Sequence, residues 1–454
     1  MQKLVIKSQF MGVKPCEIEL RRFLLLIGEQ ASGKSTIAKL IYFFQTSPDA
    51  ITRNTRLAAA RGERFDFSRH IGWVLRDKFY ETFGSTYHHV TDFDIVFYFE
   101  NGENIRIYRG RDKKAYAEFS KRLVQNLTNI VGDFLHLQKR GRALGREDEI
   151  IQRTELLKKT NSAFSTNNSD FNYLIAGRNN AVGFPEIFEG KVKFEMEKIV
   201  EDEIKRQNLE KKRRVGNERL LLDFVEWAEK TRAFFKNNGG SFETAIQSLE
   251  QRPKLTQLAN IYFKILKGTY DNDVFGEIIR INDREKVFLK DASSGQQEVL
   301  RILQGLFLAV GTPNRREFFV VEEPEAHLYP LSQKEVINAF AIFLNTIPQG
   351  KIVVTTHSPY ILACVNILLL AHFVNKERGG NGIEKQISEA AVPKDYWLDP
   401  ADFTAYAIGH SDIYCRNIKD DVTGLVAENY LDSISDILGM QSQYLFNLLL
   451  PNEA

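Results

Sequence analysis

Phe23-Leu24-Leu25-Leu26-Ile27-Gly28-Glu29-Gln30-Ala31-Ser32-Gly33-Lys34-Ser35-Thr36 is the stretch on which the fold turns. Five consecutive apolar residues, 23–27, read as a buried strand, and the GxxxxGKS turn after them runs into the helix-like TIAKLIYFF. In a strand, loop and helix of this order, the backbone N–H groups of residues 28–36 and the helix N-terminus converge on phosphate oxygens. The glycines allow the backbone to come close and to take unusual dihedrals. Lys34 is expected to bridge the β- and γ-phosphates of ATP, and Ser35 to give a hydroxyl to Mg²⁺, which prefers hard oxygens shared between protein and phosphate. Many nucleotide hydrolases carry such a loop, so by itself it does not select a class.

Further along, REFFVVEEPEAHLYP holds a buried-looking strand, 318–321, that ends in Glu322 and Glu323. The pair resembles the Walker B element of ABC ATPases, with Glu322 expected at the magnesium and Glu323 at the attacking water. The first residue of that pair is usually Asp, so Glu322 is a departure whose longer arm could reach the ion through water. KIVVTTHSPYIL then offers another apolar strand, 352–354, with His357 at its exit, like the switch histidine that donates to a γ-phosphate and senses its loss.

Between the GxxxxGKS turn and the strand ending at Glu322 lies DASSGQQEVLRILQGLFLAV, in which Ser293-Ser294-Gly295-Gln296-Gln297 opens a long amphipathic or buried helix. As a bare string it is an ordinary N-cap. In its position it resembles the ABC signature, where Ser294, Gly295 and Gln296 at a helix N-terminus make an anion site for a γ-phosphate. The ABC likeness implies that this element completes the site of a second subunit, with two ATP molecules held across a two-fold interface. Residues 324–328, PEAHL, resemble the D-loop that crosses such an interface.

Taken together, GEQASGKST, YLIAGR, SSGQQE, EEPEAHLYP and TTHSPY resemble the ABC/SMC-related ATPases of bacterial anti-phage defence operons, over nearly the whole chain. Within that group the likeness is greatest to the AriA-type ATPase subunits of PARIS, with the Septu and overcoming-lysogenisation ATPases as neighbours. The resemblance implies an α/β fold: an ABC-type head, a P-loop core with an antiparallel β-lobe and an inserted helical or short coiled-coil arm. It also implies slow ATP hydrolysis, a homodimer with ATP between its heads and a higher homo-oligomer. An effector protein, a Toprim-type nuclease, would be held in trans and released when a phage trigger protein binds. An SMC- or RecF-like DNA-repair clamp is the other reading.

Composition agrees with a soluble, cytoplasmic enzyme: 454 residues, 43% hydrophobic and 26% charged, enough for a sizeable core. A formal net charge of +2 gives no overall basic bias, so any nucleic-acid site must be local. Cys16, Cys364 and Cys415 show no metal-like spacing and fit reduced thiols. The apolar runs 23–27 and 365–370 fall short of the roughly 20 residues that span a bilayer, so no membrane segment is expected.

Four regions follow from this reading: 1–135, the first half of the head with the β-lobe; 136–275, a helical arm; 276–384, the second half; and 385–454, a tail that could dock a partner. FDIVFYFENGENIRIYR predicts a lobe hairpin turned at Asn101-Gly102. In 186–236, Val192, Met196, Ile199, Val200 and Ile204 recur at helical spacing, a packing or oligomer stripe. Lys139-Arg140-Gly141-Arg142 and the basic run 205–214 could contact phosphate backbones; the second is interleaved with acids, as solvated helix faces are. His88-His89 reads as a surface pair and Asp420-Asp421 as a solvated turn, and no D-x-D metal pair follows a strand in the tail. Gln138 is the candidate for a glutamine at the Mg²⁺, and Arg178 is left facing either nucleotide or the second subunit.

Overall fold

The computed structural model describes residues 1–60, 67–84, 86, 91–140, 146–165, 170–179, 218–313, 317–378, 389–409, 413–426 and 439–443. Its strands are β1 Gln2–Ile6, β2 Cys16–Leu20, β3 Phe23–Ile27, β4 Asp94–Tyr98, β5 Asn104–Arg109, β6 Ala115–Phe119, β7 Asp170–Leu174, β8 Thr269–Asp273, β9 Gly276–Arg280, β10 Lys286–Phe288, β11 Glu317–Glu322, β12 Lys351–Thr356, β13 Phe403–Ile408 and β14 Cys415–Asn417. The longer helices are α1 Lys34–Gln45, α2 Ser47–Ala60, α3 Phe67–Phe83, α4 Lys121–Arg140, α5 Arg146–Ala163, α6 Glu218–Asn237, α7 Arg252–Leu266, α8 Ser294–Gly311, α9 Pro330–Thr346 and α10 Pro359–Arg378.

The chain forms an α/β head in which the strand read from residues 23–27 is central. The main sheet has the order β14-β13-β3-β12-β11-β7, with β7, β11, β12, β3 and β13 all parallel and β14 antiparallel at the edge. Side chains alternate across a pleated strand, so a strand covered on both faces must be apolar throughout. In β3, Phe23, Leu25 and Ile27 join one core cluster while Leu24 and Leu26 join the other. The first cluster packs the sheet against α8, α9 and α10; the second packs it against α1 and the lobe.

The lobe is the antiparallel sheet β2-β1-β4-β5-β6. The predicted hairpin is present: β4 pairs with β5 around Asn101-Gly102, where Gly102 takes φ 82°. A third sheet, β10-β9-β8, leads into α8.

Two segments expected at the periphery supply core strands. β7 lies within 136–275 and pairs with β11, while β13 lies within 385–454 and pairs with β3. Short apolar runs hid a further feature: in α10, Pro359–Glu377 is long and apolar enough to cross a membrane. Its Ile361, Leu362, Val365, Leu368 and Leu369 are buried in the core beside α9. The stripe from Val192 to Ile204, the basic run 205–214, Gly141-Arg142 and His88-His89 lie outside the described residues. Asp420 sits in an exposed turn, its carboxylate accepting from Val422 N, Thr423 N and Thr423 Oγ1, as the tail reading expected.

Candidate nucleotide site

The register of the main sheet brings several chain exits to one edge. Ile27 pairs with Thr356, Thr355 with Glu322, Val321 with Leu174, and Ala407 with Ile27. Gly28, His357, Glu323, Ala176 and Gly409 therefore leave the sheet side by side at the carboxyl ends of parallel strands, where open α/β sheets form their crevice.

The turn from Gly28 to Gly33 closes onto α1, whose N-cap Gly33 takes φ 97°, a left-handed value that favours glycine. A Cβ there would also lie 2.4 Å from Tyr414 Oη, and that hydroxyl donates to Ser32 O at 2.6 Å. The C-terminal segment thus grips the loop. Burial, then the neighbouring Cys16 and Cys415 thiols, push the Tyr414 phenol up to about 12. Glu29, Gln30 and Ala31 are exposed at the rim, Ala31 with φ 59°, and no acidic residue occupies the first turn of α1. That leaves the helix N-terminus electrostatically open to an anion.

Lys34 is buried, and its ammonium donates to Gly28 O at 2.8 Å, Glu29 O at 2.7 Å and Ser32 Oγ at 3.3 Å. It also lies 3.4 Å from His357 Nδ1, and His357 Nε2 lies 3.0 Å from Glu323 Oε1. With Lys34 protonated, Nδ1 accepts, so the ring hydrogen sits on Nε2 and is donated to Glu323. Burial pulls Lys34 down to about 8, against the attraction of Glu323, Glu325 and Glu29. Three residues widely separated in sequence form one line: lysine, imidazole, carboxylate.

Glu325 holds the imidazole from behind. Its Oε1 accepts from His357 N and Thr356 Oγ1, both at 2.7 Å. Glu325 belongs to the 324–328 loop, and its carboxylate turns inward to cap the exit of β12. His327 of that loop, at φ 58°, is exposed, as are Tyr329 and Leu331 at the start of α9.

Glu322 is buried, its oxygens accepting from Tyr173 Oη at 2.8 Å and Ala176 N at 3.0 Å. Burial and Glu322 drive the Tyr173 phenol well above its ordinary range. Glu323, one residue on, has φ 45°, a left-handed backbone that costs a non-glycine residue roughly 1–2 kcal/mol. Arg178 does not face outward: it is fully buried beneath Glu322 and Glu323, a correction to both placements expected for it. The segment after β7 carries Ala176 and Arg178 beside the carboxylate, and no glutamine. Gln138 lies on α4, its side chain outside the described residues.

At the start of α8, Ser293 is the N-cap in a full capping box with Gln296. Gln296 Oε1 accepts from Ser293 N and Oγ, its Nε2 donates to Leu266 O at 2.6 Å, and its own N–H points at Ser293 Oγ. In this structure the Gln296 side chain is therefore engaged in the cap. Ser294 remains exposed at the helix N-terminus. Gly295 packs on the 324–328 loop so closely that a Cβ would lie 2.5 Å from His327 O.

The residues fit Mg²⁺ as a partly shared ion: the Ser35 hydroxyl and the Glu322 carboxylate are hard oxygens, and Thr355 Oγ1 and Glu325 Oε2 are buried oxygens lacking a hydrogen-bond partner among the described residues. Tyr173, Glu298, Glu325 and Tyr414 were not singled out for the site. Tyr173, Glu298 and Glu325 stood inside the quoted motifs YLIAGR, SSGQQE and EEPEAHLYP, where a polar side chain was the available signal; Tyr414 stood in none of them.

The family model described as "AAA ATPase domain" matches residues 3–362. No curated protein matches the chain. Among solved structures, an SMC head bound to the C-winged helix domain of ScpA is 14% identical, with TM-score 0.36 and coverage of 80% of this chain and 91% of that one. The SMC head domain from Thermotoga maritima is 13% identical, with TM-score 0.32 and coverage of 80% and 90%.

Proposed function

The chain belongs to the AAA ATPase domain family and hydrolyses ATP; we propose that it does so at the line formed by Lys34, His357 and Glu323, shared with the Ser294 end of a second copy. What carries the reading is the pair of contacts at 3.4 Å and 3.0 Å that joins loop lysine, histidine and strand-end glutamate.

The α1 N-terminus and the Lys34 ammonium bind the β- and γ-phosphates. Glu323 orients a water in line with the γ-phosphorus and takes its proton as the bond to the β-phosphate oxygen breaks. His357, fixed at its backbone by Glu325, reports the loss of the γ-phosphate by exchanging its partners. Ser35 and Glu322 would hold Mg²⁺, which supplies neutralisation of charge on the phosphate oxygens.

At the level of the cell we propose a sensor and scaffold of anti-phage defence. It sequesters a nuclease effector in trans and releases it when a phage trigger protein binds. The sequence resemblance supports this. A partner protein that co-purifies with the chain and is lost with Lys34→Ala is the expected result. A chain that runs alone, with hydrolysis stimulated by duplex DNA and a steep salt dependence, would replace this reading with a DNA clamp.

A further inference from the structure

Arg178 makes more contacts in the core of the head than packing alone requires. It is fully buried, with its Nη1 donating to Glu322 O at 2.6 Å and Ile175 O at 2.7 Å, and its Nη2 to Glu323 O at 3.1 Å. On the other side its Nε reaches Glu298 O at 3.0 Å and Glu298 Oε2 at 3.2 Å, and its backbone N–H donates to the same carboxylate at 3.1 Å. Glu298 lies on α8, four residues after the exposed Ser294. One guanidinium thus joins the end of β7, the end of β11 and the first turns of α8.

Its position coincides with backbone strain. Glu323 holds φ 45°, and its main chain is tied at both ends, N–H to Thr355 O at 2.9 Å and C=O to Arg178. A carboxylate on a left-handed residue points elsewhere if the residue relaxes to ordinary dihedrals. The planar five-donor fork of arginine suits two adjacent carbonyls in a way a lysine ammonium does not. We infer that Arg178, held by Glu298, is a positioning residue that fixes the strained Glu323 backbone and so keeps its carboxylate against His357, making the orientation of Glu323 depend on the seat of α8. The inference rests on the reading of Glu323 as the residue that orients the water.

The test combines Arg178→Lys and the milder Glu298→Gln, each alone and with Glu323→Gln, in the full chain. ATP affinity is measured by equilibrium titration, kcat by phosphate release and folding by thermal melting. Expected is an ATP affinity within about twofold of the parent with kcat lowered roughly ten- to a hundredfold, the effect of displacing a reacting group by about an ångström. In the Glu323→Gln background neither substitution should lower the residual rate further, because both act through that side chain. A purely structural role would lower the rate equally in both backgrounds, or lower only the melting temperature, and either result overturns the inference. If Arg178→Lys fails to fold, Glu298→Gln alone carries the comparison. A Glu323→Gln variant with unchanged kcat would instead overturn the reading of Glu323 itself.

Discussion

Lys34 is the residue whose chemistry is most directly exposed to measurement. Its folded pKa, about 8, lies below its ordinary 10.5, so the free protein is stabilised as pH rises between those values and is penalised below them. Lys34→Met should therefore be at least as heat-stable as the parent at pH 7. Bound phosphates favour the charged lysine, so ATP affinity should be level from pH 7 to 8 and then weaken by up to about tenfold per pH unit. Isothermal titration across that range checks the slope. Lys34→Met should weaken binding about a hundredfold, the loss of two charge-assisted bonds of about 1.5 kcal/mol each, and should abolish the slope. Glu323→Gln should keep ATP binding and lower kcat by roughly 10²–10⁴, read as phosphate release. The sequence exposed Glu323 and His357 because each follows an apolar run of strand length, and Lys34 because the GxxxxGKS turn joins such a run to a helix. The arginine hid because a buried cation is recognised by what surrounds it, and carbonyl oxygens leave no mark in a sequence.

At the scale of elements, the antiparallel lobe, the loop before α1 and the caps of α8 were legible from turn and cap chemistry, which acts over a few residues. The roles of β7 and β13 were not, because pairing in a parallel sheet joins segments far apart in the chain and gives no local signal. β13 protects one edge of β3 and the segment after it delivers Tyr414 to Ser32. A chain cut after residue 384 should consequently fail to fold, as the absence of a cooperative melt would show. Tyr414→Phe removes a single hydrogen bond of about 1 kcal/mol at the loop. It should weaken ATP binding about fivefold while leaving kcat within about twofold, a split that steady-state kinetics with equilibrium binding will show.

For the whole molecule, the head presents the two helix ends proposed to face phosphate differently. The loop before α1 is gripped from within by Tyr414, and Lys34 behind it faces His357, whereas Ser294 at the N-terminus of α8 is exposed, as are Tyr329 and Leu331 after the loop on which Gly295 packs. An open helix end and exposed apolar side chains after the 324–328 loop suit a second copy bringing its own nucleotide. The order of the motifs made that arrangement an expectation, since a single chain cannot display its own partner. Sedimentation of Glu323→Gln with ATP and Mg²⁺ tests it most directly: the account predicts twice the mass seen without nucleotide, and a return to single chains when Ser294→Arg is added with ATP still bound. An ATP-saturated Glu323→Gln protein that stays a single chain, or a dimer indifferent to Ser294→Arg, would contradict the shared site.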